Sequence, residues 1–412
     1  MNIADFDYRN YAELLVKAGA GLKKDMNIVI NFDVNSALLA RECAAAAYRE
    51  GARLVDLRYK DTHITKARVN AQAENETALK AVPKWVDAWQ DTVLDGSWTY
   101  LSLVSFEDIG LLSDIDQHAY MIMQKAAIEK TKKLRDAVTG HKIPWSIGAV
   151  PGPEWAKYVL GENAETEDLW KKLIPILLLD KEDPVEAWKD KGLLLTERAD
   201  KLNSLKLDAL HFSGNGTDLT VGLLDASIWK GGPEFVDGHF TMPNIPTEEV
   251  FTTPDRLRTE GTVKVTKPVE VRGTVVKNAV FTFKNGKLVD YSAQEGEKAL
   301  TSLIETDEGA SYLGEVALVA EDSPIAESGL LFGSILFDEN ASCHIALGSG
   351  YTPCVAGGDK LDTDEKKIDA GCNASFVHVD FMIGSPEVSV TGIDKNGKET
   401  PVIVNGKFAG LL

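Results

Sequence analysis

Residues 26–59 read MNIVINFDVNSALLARECAAAAYREGARLVDLRY, and this stretch decides the fold of the first half of the chain. Met26–Phe32 reads as a strand. Asn35 or Ser36 can cap a helix through ALLARECAAAAYRE, which Gly51 ends. Arg53–Tyr59 is the next strand. Working outward, Thr99–Ser105 and Ile143–Val150 read as two more, with one long helix over about Asp116–Val138 between them. Pro153 sits where a helix begins, before EWAKYVLG. A strand–helix–strand rhythm of this kind predicts an α/β domain built on a mainly parallel sheet.

Near Leu207 the rhythm changes to short strands and turns. AVFTFKNGKLVDYSA, residues 279–293, sets Asn285-Gly286 between alternating runs, a hairpin signal. Asn396-Gly397 and Asn405-Gly406 repeat it, and one helix interrupts at about Glu295–Glu305. The expectation is an α/β domain over residues 1–200 and a β-rich α+β catalytic domain over 201–412. The boundary falls in the helical stretch Asp190–Leu207.

Composition narrows the function classes. The formal charge is 44 − 63 = −19, which repels phosphate backbones and argues against nucleic acid as partner. No run approaches the roughly 18 apolar residues of a membrane helix; Leu173–Leu179 is far too short and holds Pro175. The opening MNIADFDYRNYAELL carries acids early and lacks the basic-then-apolar pattern of a signal peptide, so a cytoplasmic protein is expected. Cys43, Cys343, Cys354 and Cys372 show no metal or disulfide spacing and read as small buried apolar residues.

Several catalytic motifs are missing. The first strand runs into NFDVNS and not into GxGxxG, so a dinucleotide site is not expected there. GxxxxGK[ST], GxSxG and HExxH do not occur. Cys343 adjoins His344, but neighbouring strand residues point to opposite faces, which disfavours a nucleophile pair.

The chemistry concentrates in four later segments. In FVHVDFMIG (376–384), Val377, Val379 and Phe381 alternate with His378 and Asp380. The apolar set faces a core, and His378 and Asp380 share the other face, close enough to hold one cation. In DENASCHIALGSGY, His344 alternates with Ser342 and Ala346, and Gly348 and Gly350 permit a turn that returns Tyr351 to the same place. In SYLGEVALV, Glu315 lies at the opening of an apolar run. In NIPTEEVFTTP, strand alternation lets only one of Glu248 and Glu249 face a site. Each segment also has a plain structural reading. Taken together, two histidines, three carboxylates and a tyrosine exceed what one ion needs and point to a pair of ions that activates water. Two rival readings use the same residues. His344, His378 and Asp380 could form the two-histidine, one-carboxylate triad of a mononuclear iron oxygenase, or the chain could be a non-catalytic ligand-binding protein.

NIPTEEVFTTP, LGEVALV, LFDENASCHIALGSGY and VHVDFMIGS, in that order, resemble the motifs of the thermophilic metallo-aminopeptidases, the aminopeptidase T and aminopeptidase S (PepS) group. SGNGTDLTVGL, IWKGG and NYAELLVKAGAGL extend the likeness over nearly the whole chain. The resemblance implies a homodimeric exopeptidase that removes amino-terminal residues from peptides with a free N-terminus, using two divalent ions per chain, zinc, cobalt or manganese. It places the metal ligands at Glu249, Glu315, His344, Tyr351, His378 and Asp380. Glu315 or Glu249 would shuttle the proton to the leaving amine, and Tyr351 would coordinate a metal or donate to the oxyanion. The first domain would form a wall that restricts access to short peptides.

Overall fold

The computed structural model describes residues 8–108, 110–112, 114–140, 142–236, 238–272 and 274–410. The opening MNIADFD, part of the signal-peptide reading, lies outside them. The chain divides into two compact units: Met1–Lys189 with Pro233–Ile245, and Asp190–Gly232 with Pro246–Leu412.

The first unit is built on a five-stranded sheet. Its order is Asn244–Ile245, Trp145–Val150, Trp98–Ser105, Asn27–Phe32, Leu54–Tyr59, and every pair is parallel. Asn27–Phe32 is almost wholly buried, as a strand flanked on both sides should be, whereas the edge strand Leu54–Tyr59 is half open. The helix Ala37–Arg49 follows the first strand and buries Leu39, Ala40, Cys43, Ala46 and Ala47 along one stripe. Ser36 stands at its N-cap, but its hydroxyl accepts the Asp33 amide at 2.9 Å, so the side chain closes the preceding turn and does not cap the helix. The helix expected over Asp116–Val138 is two helices, Gln117–Lys130 and Lys132–Thr139. Thr131 leaves helical geometry between them while its hydroxyl bonds the Ala127 carbonyl at 2.8 Å. A β-branched hydroxyl residue competes locally in this way, and no apolar period reveals it.

The second unit carries two large antiparallel sheets beside a two-stranded ladder of Val269–Val271 and Thr274–Val276. The larger has eight strands, in the order Lys287–Ser292, Val280–Lys284, Pro254–Lys264, Thr217–Leu223, Leu207–Gly214, Ser389–Asp394, Glu399–Val404, Lys407–Phe408. Its hairpins turn where expected: Asn285 and Gly286 take φ values of 49° and 79°, and Asn405 and Gly406 take 51° and 72°. The smaller sheet runs His378–Met382, His344–Gly348, Leu313–Leu318, Val250–Thr252, Lys230–Gly231. One core joins the two sheets: Phe212, Val221, Val263 and Phe281 from the larger meet Val250, Val316, Ile345 and Phe381 from the smaller, and the Phe281 and Phe381 rings meet edge-on at 4.9 Å. The strand period of two then turns the alternate residues of the smaller sheet away from that core. Among the described residues no helix is long and apolar enough to cross a membrane.

Candidate metal centre

The face of the smaller sheet turned away from the core gathers the polar residues singled out in the sequence. Glu315 lies opposite Ala346, and Ala346 lies opposite Asp380. The small Ala346 side chain leaves space between two carboxylates. His344 sits opposite Ala317 in the next row, and His378 sits opposite Gly348. Glu315 is not at the opening of its strand as expected but inside Leu313–Leu318. Glu249 precedes the Val250–Thr252 strand and reaches the same face from its end.

The side chains meet closely. His344 Nε2 is 3.1 Å from Glu249 Oε2. His378 Nε2 is 3.1 Å from Glu315 Oε2 and 3.4 Å from Asp380 Oδ1. In each histidine the other ring nitrogen is occupied: His344 Nδ1 by the Ser342 carbonyl at 3.2 Å and His378 Nδ1 by the Ser349 carbonyl at 2.7 Å. Those carbonyls aim both Nε2 atoms at the carboxylates, the arrangement that orients imidazole ligands. Two sets of three side chains result, Glu249–Glu315–His344 and Glu315–His378–Asp380, each with donor atoms within 4.8 Å of one another. Glu315 belongs to both. His344 and His378 fall in different sets, so the two-histidine, one-carboxylate triad is not assembled among the described residues.

Glu249, Glu315, His344 and Asp380 are all nearly inaccessible to solvent. Burial pushes Glu315 up to about 7, a rise that His378 opposes and Glu249 reinforces. Burial pulls His344 down, but Glu249, Asp380 and Glu315 more than reverse this and raise it to about 10. His378 is likewise held well above its ordinary value, against burial, by Asp380 and Glu315. Asp380, which burial alone would raise, is held below its ordinary value by His378 and then His344. Apart from these two imidazoles, Glu249 Oε2 and Asp380 Oδ1 are buried with no hydrogen-bond donor beside them among the described residues. Three buried carboxylates against two imidazoles are costly to enclose, and cations relieve the cost. Imidazole and carboxylate donors at this spacing fit first-row divalent ions.

Residues 5–408 match the profile of the thermophilic metalloprotease (M29) family. The chain belongs to that family. Aminopeptidase AmpS of Bacillus subtilis is 36% identical over 403 residues, covering 97% of each chain. Aminopeptidase T of Thermus thermophilus is 36% identical over 401 residues, 96% of this chain and 97% of that one. The solved structure of wild-type AmpT from Thermus thermophilus superposes with a TM-score of 0.89 at 35% identity, covering 98% of this chain and 99% of that chain. The α/β first half and β-rich second half thus agree with a solved member of the family.

In this metalloprotease Tyr351 comes back to the face as its turn predicts. Gly348 takes φ 116°, and a Cβ there would lie 2.0 Å from the Val377 carbonyl, so glycine is required at the bend. Thr253 then pins the returning segment, accepting the Tyr351 amide at 3.0 Å and donating to the Tyr351 carbonyl at 2.9 Å. The Tyr351 ring lies 4.8 Å from the His378 ring and 5.9 Å from Phe251. The residue keeps 41% of its surface open, while at the phenol oxygen desolvation, then Glu315 and Asp380, push the value well above its ordinary one. The three cysteines of this unit, Cys343, Cys354 and Cys372, are buried and free, and so is Cys43. None belongs to either ligand set.

Three neighbours were not singled out from the sequence. Glu248 turns away from the face and pairs with Lys191, which is also largely buried. The Glu248 amide donates to Asn340 Oδ1 at 2.7 Å, and Asn340 is wholly buried. Glu339 precedes it on the short turn Glu339–Ala341, which packs against the His378–Met382 strand. Lys191 stands 57 residues from Glu248 in a helix with no motif. Glu339 and Asn340 lie in the segment before His344 but follow neither a strand nor a helix period, so pattern reading passes over them.

Proposed function

We propose that this buried face holds two divalent cations, zinc, cobalt or manganese, one in each three-residue set with Glu315 common to both. Glu249 and His344 complete one set, His378 and Asp380 the other, and Tyr351 stands beside them. The chain is a hydrolase, a metallo-exopeptidase of the aminopeptidase type acting on peptides. Bound ions of this kind bring a water to hydroxide near neutral pH and polarise the scissile carbonyl. The chain's own residues then have distinct tasks. The Ser342 and Ser349 carbonyls keep both imidazoles aimed inward. Glu249 or Glu315 carries the proton from the attacking water to the departing amine. Tyr351, whose phenol keeps its proton at working pH, donates to the developing oxyanion or coordinates an ion. The observation that carries this reading is the pair of buried ligand sets meeting at Glu315, in which Glu249 Oε2 and Asp380 Oδ1 have only the histidine of their own set beside them.

The same proposal includes a homodimer, which sedimentation analysis would register as twice the chain mass. It also includes a cytoplasmic location, in keeping with four buried free cysteines. The test of the activity is peptide hydrolysis by metal-stripped protein with divalent ions restored singly. An unblocked peptide and its N-acetylated twin are followed by mass spectrometry. Stepwise loss from the free amino end, with metal and only in the unblocked peptide, is expected; no cleavage with any ion would overturn the reading.

A further inference from the structure

We propose that Thr253 is a positioning residue for Tyr351, its hydroxyl holding the tyrosine backbone so that the phenol stands at the ligand face beside His378. The inference rests on the aminopeptidase reading and adds a residue to it. So much of Tyr351 is open to solvent that packing alone does not fix its ring. The ring contacts it makes are to His378 and, edge-on, to Phe251. A group that acts on reacting atoms loses most of its effect when displaced by about 1 Å, so the backbone beneath this phenol has to be held.

The geometry assigns that task to Thr253. The residue is wholly buried, and its one hydroxyl serves both polar groups of the Tyr351 main chain, accepting from the amide and donating to the carbonyl. Glu249, Phe251 and Thr253 alternate along one short stretch, and alternate residues of an extended chain share a face. Pro254 follows, which biases Thr253 toward extended backbone. That stretch therefore supplies a carboxylate of the face, a ring against the tyrosine and the hydroxyl that pins it. The stretch is itself anchored. Ser227 Oγ donates to the Thr253 carbonyl at 2.8 Å, and Thr252 Oγ1 donates to the Ile228 carbonyl at 2.9 Å. The same neighbouring segment grips the far side of the Tyr351 turn: the Ile228 amide donates to the Cys354 carbonyl at 2.8 Å and the Ala356 amide to the Ala226 carbonyl at 2.7 Å. Ile228 opens IWKGG, a stretch to which the ligand sets give no task. A Cβ on Gly350 would stand 2.7 Å from Cys372 Sγ and 3.0 Å from Thr253 Cγ2, so the chain passes close over Thr253 just before Tyr351.

The test is a double-mutant comparison on metal-loaded protein with an unblocked leucyl peptide, bound metal being measured in each variant. T253V keeps the side-chain shape and removes the hydroxyl. It should lower kcat about 10- to 100-fold with KM within about threefold, and its metal content should equal that of wild type. T253S keeps the hydroxyl and should stay within about threefold of wild type. In a Y351F background T253V should change kcat by less than about twofold, because the group it positions is already gone. In metal-stripped protein the Tyr351 amide should exchange its hydrogen at least about tenfold faster in T253V, the effect of one lost hydrogen bond. T253C, whose thiol is a weaker donor and acceptor, should fall between and decides the question if T253V does not fold. Equal losses in the wild-type and Y351F backgrounds, or loss of bound metal in T253V, overturn the assignment. If wild type cleaves unblocked peptides and T253V matches it, this inference alone fails; a wild type that cleaves none removes the reading beneath it.

Discussion

Two strands of this chain carry the same charge spacing and come to opposite ends. Asp56 and Arg58 sit two apart on the edge strand of the parallel sheet; His378 and Asp380 sit two apart on the smaller antiparallel sheet. The first pair closes on itself. Arg58 Nε donates to Asp56 Oδ2 at 2.8 Å, Trp89 Nε1 donates to the same oxygen at 2.8 Å, and the guanidinium stacks 4.1 Å above the Trp89 ring. The second pair closes less tightly: His378 Nε2 stands 3.4 Å from Asp380 Oδ1 and nearer, at 3.1 Å, to Glu315 Oε2. Glu315 and Glu249 crowd further carboxyl groups around it, and the buried carboxyl groups of the two sets outnumber their histidines. Alternating charge on a strand is therefore no mark of a site by itself. What marks one is buried charge that the protein leaves for something else to neutralise.

The comparison breaks most sharply by mutation. Glu315→Ala removes the residue common to both ligand sets. It should lower kcat/KM by at least about 10³-fold, since ligand loss forfeits several kcal/mol of transition-state stabilisation, and bound metal should fall with it. Asp56→Ala should leave kcat/KM within about twofold and cost roughly 1–2 kcal/mol of stability through the lost hydrogen bonds. Equal effects of the two on activity would erase the distinction.

A smaller effect is expected at Lys191→Ala. Removing the cation leaves Glu248 buried without its partner, next to Glu249. Chemical denaturation should register a loss of roughly 3 kcal/mol, the lower end for a broken buried pair because Lys191 is not fully enclosed. Burial already raises Glu248, and Lys191 and Arg198 oppose that rise. Without Lys191 the acid should bind a proton more readily, and the variant should be least impaired at low pH.

The pH dependence of the metal-free protein sharpens the contrast further. The folded-state value of Glu315, about 7, lies above its ordinary 4.5. The stabilisation from its proton is therefore complete below about 4.5 and is lost as pH rises through 7. His344, raised to about 10, keeps its proton across that window. Metal ions must expel both protons, so metal affinity should climb steadily between about pH 6 and 8 with proton release. Titration calorimetry in buffers of different ionisation enthalpy measures that release; affinity independent of pH would contradict the charge state assigned to this face.

Much of this was legible in the sequence, for identifiable reasons. The hairpins at Asn285-Gly286 and Asn405-Gly406 were readable because left-handed backbone demands those residues. His378 and Asp380 were readable because Val379 and Phe381 fix the strand's inner face. Gly348 gave away the return of Tyr351. Thr131 hid the break between two helices because a local hydroxyl bond caused it. Lys191, Asn340 and Glu339 stayed hidden because they act through tertiary contacts made from an ordinary helix and an irregular turn. Glu248 and Glu249 are adjacent and both acidic, and only Lys191 and His344, far off in sequence, separate their fates.

The most direct test of the central claim is a titration of metal-stripped protein with a single divalent ion, following bound metal per chain by mass spectrometry of the intact protein and aminopeptidase rate on the same samples. The account predicts two ions per chain, with activity rising until the second equivalent is bound. Saturation of binding and activity at one ion, or activity in the metal-free protein, would contradict it.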